Sequence, residues 1–132
     1  MNDKLKEYIS YRIQRAYNTL NDAKILADNE SWNSAINRAY YACFYAVSAL
    51  LYSNSIEAKT HKGIRIKFMN EFIKTGIFDK NIGKLYSDLF DLRQEGDYSD
   101  FVAFKKDLTL SLIEKSEELV SLIDAYLKDK LL

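Results

Sequence analysis

Residues 32–52 read WNSAINRAYYACFYAVSALLY, a stretch with one charge, Arg38. After Ala39, apolar side chains occupy most of the helical circumference, as they do in a helix surrounded by other helices or by a partner chain. The polar run Asp28-Asn29-Glu30-Ser31 precedes it, with Ser31 suited to the N-cap, and a polar loop over 53–59 follows. The most apolar part, AYYACFYAVSALLY, is 14 residues long. That is too short and too rich in tyrosine to span a bilayer. The reading that follows is a central helix inside a soluble, all-helical domain.

The flanking segments agree. Ile9, Ile13, Ala16, Leu20, Ala23 and Ala27 recur at steps of three and four, which predicts a helix over about residues 3–28. On the other side, Thr60 stands as an N-cap ahead of a helix carrying Ile64, Phe68, Met69, Phe72 and Ile73, which Thr75-Gly76 closes. A fourth helix is expected from Asp79 to Gln94, presenting Ile82, Leu85, Tyr86, Leu89, Phe90 and Leu92 and ending at EGDYSD. The last is expected from Phe101 to Lys130, with Asp100 as its N-cap and Phe104, Leu108, Leu112, Leu119, Ile123 and Tyr126 at helical spacing. There is no proline, and glycine occurs four times. Long helices are therefore permitted, strand signals are absent, and short loops favour an antiparallel up-and-down bundle of four to five helices.

The chain has 132 residues, which predicts one domain over 1–132, large enough to bury about two thirds of its unfolded surface. Nineteen basic and nineteen acidic residues cancel, so no global field draws the chain to nucleic acid or anionic lipid, although a local basic patch stays open. Ten tyrosines and seven phenylalanines call for an aromatic core or interface. Cys43 is the one cysteine and reads as a small buried hydrophobe, since no base accompanies it. The opening MNDKLKEYIS has no apolar run of the secretory kind, and a cytoplasmic location is expected.

Three places hold residues that can carry chemistry. Arg38 sits one turn before Tyr40, Tyr41, Phe44 and Tyr45; if buried, its guanidinium should meet a carboxylate from another helix, either as a structural pair or as part of a phosphate site. His61 is the only histidine. With Lys62 beside it and Arg65 one turn on, it stands in the first turn of a helix, where free N–H groups favour an anion; packing or capping is the plainer role. Arg93 lies four residues before Asp97 and five before Tyr98, so a continuous helix would pair Arg93 with Asp97 and leave Tyr98 at the exit. Gly96-Asp97-Tyr98-Ser99-Asp100 also reads simply as a helix terminator. Glu117 and Glu118 are expected to be solvated. No phosphate loop, HExxH, zinc cluster, nucleophile elbow or basic recognition helix is present, and neither a metal nor a cofactor is called for.

Three strings, NRAYYACFYAVSALL (37–51), THKGIRIKFMNEFIKTG (60–76) and LFDLRQEGDY (89–98), resemble in order and spacing the HEPN superfamily, in particular its minimal stand-alone prokaryotic members. The resemblance spans about residues 32–100 and implies a helical bundle that usually dimerises, with a polar motif at the dimer cleft. Many such proteins are metal-independent ribonucleases acting as toxins or in antiviral defence, often encoded beside a minimal nucleotidyltransferase that serves as antitoxin. Their catalysis rests on an Arg followed four to six residues later by His. Arg93 matches the Arg, whereas Tyr98, Ser99 and Asp100 occupy the place of the His. Cleavage through the 2′-OH needs a proton acceptor titrating near neutral pH, and only His61, on a different helix, offers one.

The expectation is thus a cleft in which Arg93, Tyr98 and His61 are the catalytic candidates and Arg38, Lys62 and Asp97 bind an RNA or nucleotide phosphate. Ribonuclease activity is left open by the missing motif His. The resemblance also implies Tyr98 as acceptor of a nucleotidyl group from the partner enzyme, although the family's offset falls on Asp100. The alternative is a non-catalytic module that dimerises through the aromatic face of the second helix.

Overall fold

In the computed structural model, residues 3–98 and 103–131 are described, with the backbone alone for 96–98 and 131. Five α-helices follow in order: α1 Asp3–Asp28, α2 Trp32–Ser53, α3 His61–Phe68, α4 Lys80–Tyr98 and α5 Lys106–Leu131. A short π-helical segment, Met69–Ile73, continues α3. No strand occurs among the described residues, and no helix there is long and apolar enough to cross a membrane.

Why α2 becomes the axis is plain from its side chains. Ala35, Ala39, Ala42, Ala46 and Ala49 are fully buried, and such small residues let neighbouring helices approach closely on several sides, while Ile36, Val47, Leu50 and Leu51 fill the spaces between. Cys43 is buried among them, and burial pushes its thiol up to about 12, so it behaves as the hydrophobe expected. Tyr8 meets Tyr52 at 4.6 Å and Arg15 lies over Tyr45, so α1 and α2 run antiparallel. Tyr17 on α1 donates to Asp124 on α5 at 2.8 Å and Lys24 pairs with Glu117 at 2.9 Å, so α1 and α5 are antiparallel too. Glu117 is accordingly paired across the surface, rather than merely solvated. The core apolar set of α1, from Ile9 to Ala27, is buried as its spacing predicts.

The helix ends show where tertiary structure intervened. α1 closes with the Ser31 N–H bonded to the Leu26 carbonyl at 2.9 Å, a turn that puts Glu30 in the left-handed region at φ 60°. Ser31 takes the N-cap position of α2, but its side chain makes no capping bond. Thr60 does cap α3, accepting from the Gly63 N–H at 2.9 Å. The helix beyond it was expected to be uniform; instead it widens at Met69–Ile73, and the Lys74 N–H reaches back to the Met69 carbonyl. Gly76, at φ +82°, ends it as the Thr75-Gly76 pair predicts.

Helix α4 continues four residues past Gln94, through Gly96 to Tyr98. One glycine costs a helix only about 1 kcal/mol and does not stop it unless the chain turns there. Helix α5 begins at Lys106, well after Phe101, and ahead of it the Phe104 N–H donates to the Asn33 side-chain oxygen of α2 at 2.9 Å. Asp100, the expected N-cap, lies outside the described residues. Leu108 was expected on the buried stripe of α5 but is exposed, whereas Leu112, Leu119 and Ile123 are buried.

Candidate active site

Four aromatic rings from α2 and α4 set the position of the site. Tyr40 is fully buried, and a buried phenol requires a partner for its hydroxyl. It finds one on α3: Tyr40 Oη lies 2.7 Å from Nδ1 of His61. Phe44, one turn along α2, stacks on the imidazole at 4.4 Å and 14°, and Tyr41 meets it edge-on at 5.8 Å. The imidazole is thus clamped by three α2 rings and only partly open to solvent.

Arg93 reaches the same rings from α4. It is 8% exposed, and its guanidinium carbon stands 4.8 Å from the Tyr40 ring centre, 5.8 Å from Tyr41 and 6.0 Å from Phe90. A guanidinium over ring faces is attracted by their quadrupoles, about 0.5–2 kcal/mol per contact depending on desolvation. Burial, and after it the charge of Arg93, lower the His61 pKa below the ordinary imidazole value of 6.5. The imidazole is therefore neutral at physiological pH and able to accept a proton. Burial pushes Tyr40 up to about 12 despite Arg93, and Tyr86, packed against Tyr40 at 5.9 Å, well above 10. Both phenols stay protonated.

Arg38 is half-buried and joins the group from α2. Among the described residues it meets no carboxylate of another helix; the side-chain oxygen of Asn37 accepts from its Nη2 at 2.8 Å and its Nε at 3.2 Å, and its guanidinium lies 4.9 Å from the Tyr41 ring. A partly solvated guanidinium needs no ion pair, because water and a ring face suffice. Tyr41 consequently touches two arginines and the histidine at once. Arg65, on α3, pairs with Asp91 at 3.4 Å and lies 4.2 Å over Phe90. Lys62 follows His61 and is exposed.

Of the six candidate residues, then, Arg38, His61 and Arg93 come together around Tyr41, and Lys62 is the exposed neighbour of His61 in the chain. The helical backbone runs through Asp97 and Tyr98, which keeps Arg93 and Asp97 one turn apart, while the side chains at 96–98 lie outside the described residues. Sequence reasoning missed Tyr40, Tyr41, Phe44 and Phe90 as parts of the site, assigning them to core or dimer surface. The available signal was tyrosine, not phenylalanine, at a position whose helical phase is fully buried. Among the described residues no group of His, Cys, Asp and Glu could hold a metal ion.

Chemically, the arrangement offers a neutral imidazole oriented by a phenol, beside guanidiniums whose charge is fixed. Such a set can take a proton and stabilise negative charge on a phosphate.

The comparisons with known proteins bear on what that chemistry serves. The family model of the HEPN domain matches residues 9–126. A UPF0332 protein of Thermotoga maritima is 41% identical over 98% of this chain and 97% of its own length. Two proteins of Methanocaldococcus jannaschii named as candidate toxins, MJ0142 and MJ0605, are each 30% identical, covering 95% and 98% of this chain and 85% and 96% of their own lengths. A match of this extent, on a bundle that brings the three motif strings around one cluster of rings, makes the chain a member of the HEPN domain family.

Proposed function

We propose that this chain is a toxin-type HEPN protein that binds an RNA phosphodiester at the His61–Arg93 cluster and cleaves it without a metal. The observation that carries the reading is the 2.7 Å contact of Tyr40 with His61 beneath Arg93, which supplies from α3 the histidine that the segment after Arg93 lacks. In this reaction Nε2 of the His61 imidazole, in the tautomer whose Nδ1–H donates to Tyr40 Oη, takes the proton of the 2′-OH, and the 2′-oxygen bonds to phosphorus. The P–O5′ bond breaks, leaving a 2′,3′-cyclic phosphate and a 5′-oxygen that takes a proton from water to become a free 5′-OH, while the protonated His61 returns its proton to solvent. Arg93 and Arg38 offset the charge that builds on the non-bridging oxygens, and Lys62 and Asp97 are the further candidates for binding the phosphate.

The relatives named as candidate toxins support the toxin reading, and the family resemblance supports the rest. The protein works as a cytoplasmic homodimer paired with a minimal nucleotidyltransferase, and Tyr98, in the last turn of α4, is the residue to examine for a transferred nucleotidyl group. The test is cleavage of a labelled single-stranded RNA in excess EDTA by the wild type and by the His61→Ala and Arg93→Ala variants. The reading expects cyclic-phosphate products from the wild type and background from both variants. Wild-type products at background, or undiminished cleavage in either variant, would remove it.

A further inference from the structure

Beyond the His61 cluster, the face shared by α1 and α2 has an unusual composition. Tyr8, Tyr11, Arg12 and Arg15 fall at i, i+3, i+4 and i+7 of α1, a stripe about 10 Å long. Tyr11 and Tyr52 are 58% and 50% exposed, well beyond what a lone surface tyrosine needs. The arginines between them are held flat against rings. Arg12 Nε donates to Tyr8 Oη at 3.0 Å, and its guanidinium carbon stands 5.4 Å from the Tyr8 ring and 5.6 Å from Tyr45. Arg15 lies over Tyr45 at 4.5 Å and its Nη1 is 3.5 Å from Tyr11 Oη.

This stripe is continuous with the site. Tyr45 stands 6.2 Å from Tyr41, the ring shared by Arg38, Arg93 and His61. Beside Arg12 a groove of about 470 Å³ opens between α1, α2 and residues 56–59, with Lys59 and Glu57 on its rim. Phe44 lines that groove and also stacks on His61. In a chain whose nineteen cations and nineteen anions cancel, Arg12, Arg15, Arg38, Lys59 and Arg93 follow one another along this groove and its linked rings, with Glu57 opposing them.

We infer that this track is a docking surface for single-stranded RNA leading into the His61–Arg93 site, with unpaired bases stacked on Tyr11 and Tyr52, Tyr8 packed between Tyr52 and Arg12 as their support, and phosphates against Arg12, Arg15 and Lys59. The inference rests on the proposed function for its direction but not for its chemistry. Exposed tyrosines offer π-faces that any unpaired base can use, and a duplex, whose bases are already stacked, cannot. Guanidiniums fixed on rings lose little side-chain entropy when a phosphate arrives. The positive track matches a polyanion, whereas an apolar partner would leave the charges of Arg12, Arg15 and Lys59 without compensation.

The test is fluorescence anisotropy with a labelled, fully 2′-O-methylated 12-nucleotide single strand, which cannot be cleaved, and the same strand in a duplex. Proteins are the wild type, Arg12→Ala/Arg15→Ala and Tyr11→Ala/Tyr52→Ala, each checked for native circular dichroism and for oligomeric state by sedimentation. The single strand should bind the wild type at least tenfold more tightly than the duplex does. The arginine variant should lose about tenfold and flatten the salt dependence by roughly 1.4 in slope, two phosphate contacts at about 0.7 each. The tyrosine variant should lose about fivefold or more. Unchanged affinity in both variants, equal duplex binding, or a dimer that the arginine variant turns into monomer would overturn the inference, the last by making this face an interface between copies. Cleavage of an unmodified dinucleotide by the wild type reports on the His61–Arg93 site alone, so failure there would fall on the proposed function and leave the binding result standing.

Discussion

Removing one oxygen atom tests the geometry on which the site depends. Tyr40→Phe keeps the buried ring, its packing against Tyr86 and Phe90 and its place under Arg93, and deletes only the hydroxyl 2.7 Å from His61 Nδ1. An intramolecular hydrogen bond contributes about 0.5–1.5 kcal/mol net. The phenol exchanges its bonds to water for the contact with Nδ1 when it folds into the core, and His61, being partly open, recovers a solvent partner once the phenol is gone. The cost should therefore fall near the middle of that range, about 1 kcal/mol, or roughly 3–5 °C in Tm for a domain of this size. Equilibrium urea unfolding followed at 222 nm, on the wild type, Tyr40→Phe, His61→Ala and the double variant, isolates the pair. The coupling energy should be about 1 kcal/mol. It should persist on both sides of the imidazole titration, since Nδ1–H donates to the phenol oxygen both in the protonated ring and in the neutral tautomer that leaves Nε2 free, and Tyr40 itself ionises only at about 12. A coupling within about 0.3 kcal/mol of zero, the scatter of independent sites, would refute the bond and with it the orientation of His61.

Other consequences follow from single positions. Because burial first, and Arg93 second, depress the His61 pKa, the unfolded chain binds the proton more tightly; stability should rise with pH from the depressed value up to about 6.5 and be lost as pH falls through that window, flattening below it. His61 is the only histidine, so its ring signals in NMR give the pKa directly, and Arg93→Met should raise it without reaching 6.5, since burial remains. Glu30 holds φ 60° at the end of α1, and Glu30→Gly should raise stability by up to about 1 kcal/mol in the same urea assay; destabilisation would show that the Glu30 side chain matters more than its backbone. A Cβ on Gly83 would stand 3.0 Å from two carbons of Ile73 and from the Met69 methyl, so Gly83→Ala should cost about 1–2 kcal/mol, overpacking exceeding the gain in helix propensity. A neutral or stabilised Gly83→Ala would mean that the π segment yields to it.

Much of this fold was legible because its signals are local and repeated. Six apolar positions of α1 and the near-continuous apolar surface of α2 leave a helix little alternative to the middle of a bundle. What escaped depends on contacts between distant segments. The stretch before α5 is tied to α2 by a bond between Asn33 and the Phe104 N–H, and nothing within 101–105 announces it. The π segment inserts a wider turn without disturbing the spacing of Phe68, Phe72 and Ile73, so the pattern reads as an ordinary helix. Arg38 was assigned a carboxylate on the premise of full burial, and the half-buried side chain uses Asn37 and a tyrosine face instead. His61 and Arg93 were separately visible as unusual residues. That they share the rings of Tyr40 and Tyr41 depends on how closely α3 and α4 approach α2, which the Gly83 contact with the π segment helps to set.

His61 and Arg93 are proposed to form one phosphodiester site. The lone imidazole makes it directly observable: a 2′-O-methylated RNA dinucleotide is titrated into the protein in EDTA while the His61 ring signals are followed. The account predicts a saturable shift of those signals and a rise in the His61 pKa as the phosphate approaches, both abolished by Arg93→Ala. Ring signals that stay fixed while the dinucleotide binds, or that move equally in Arg93→Ala, would contradict it.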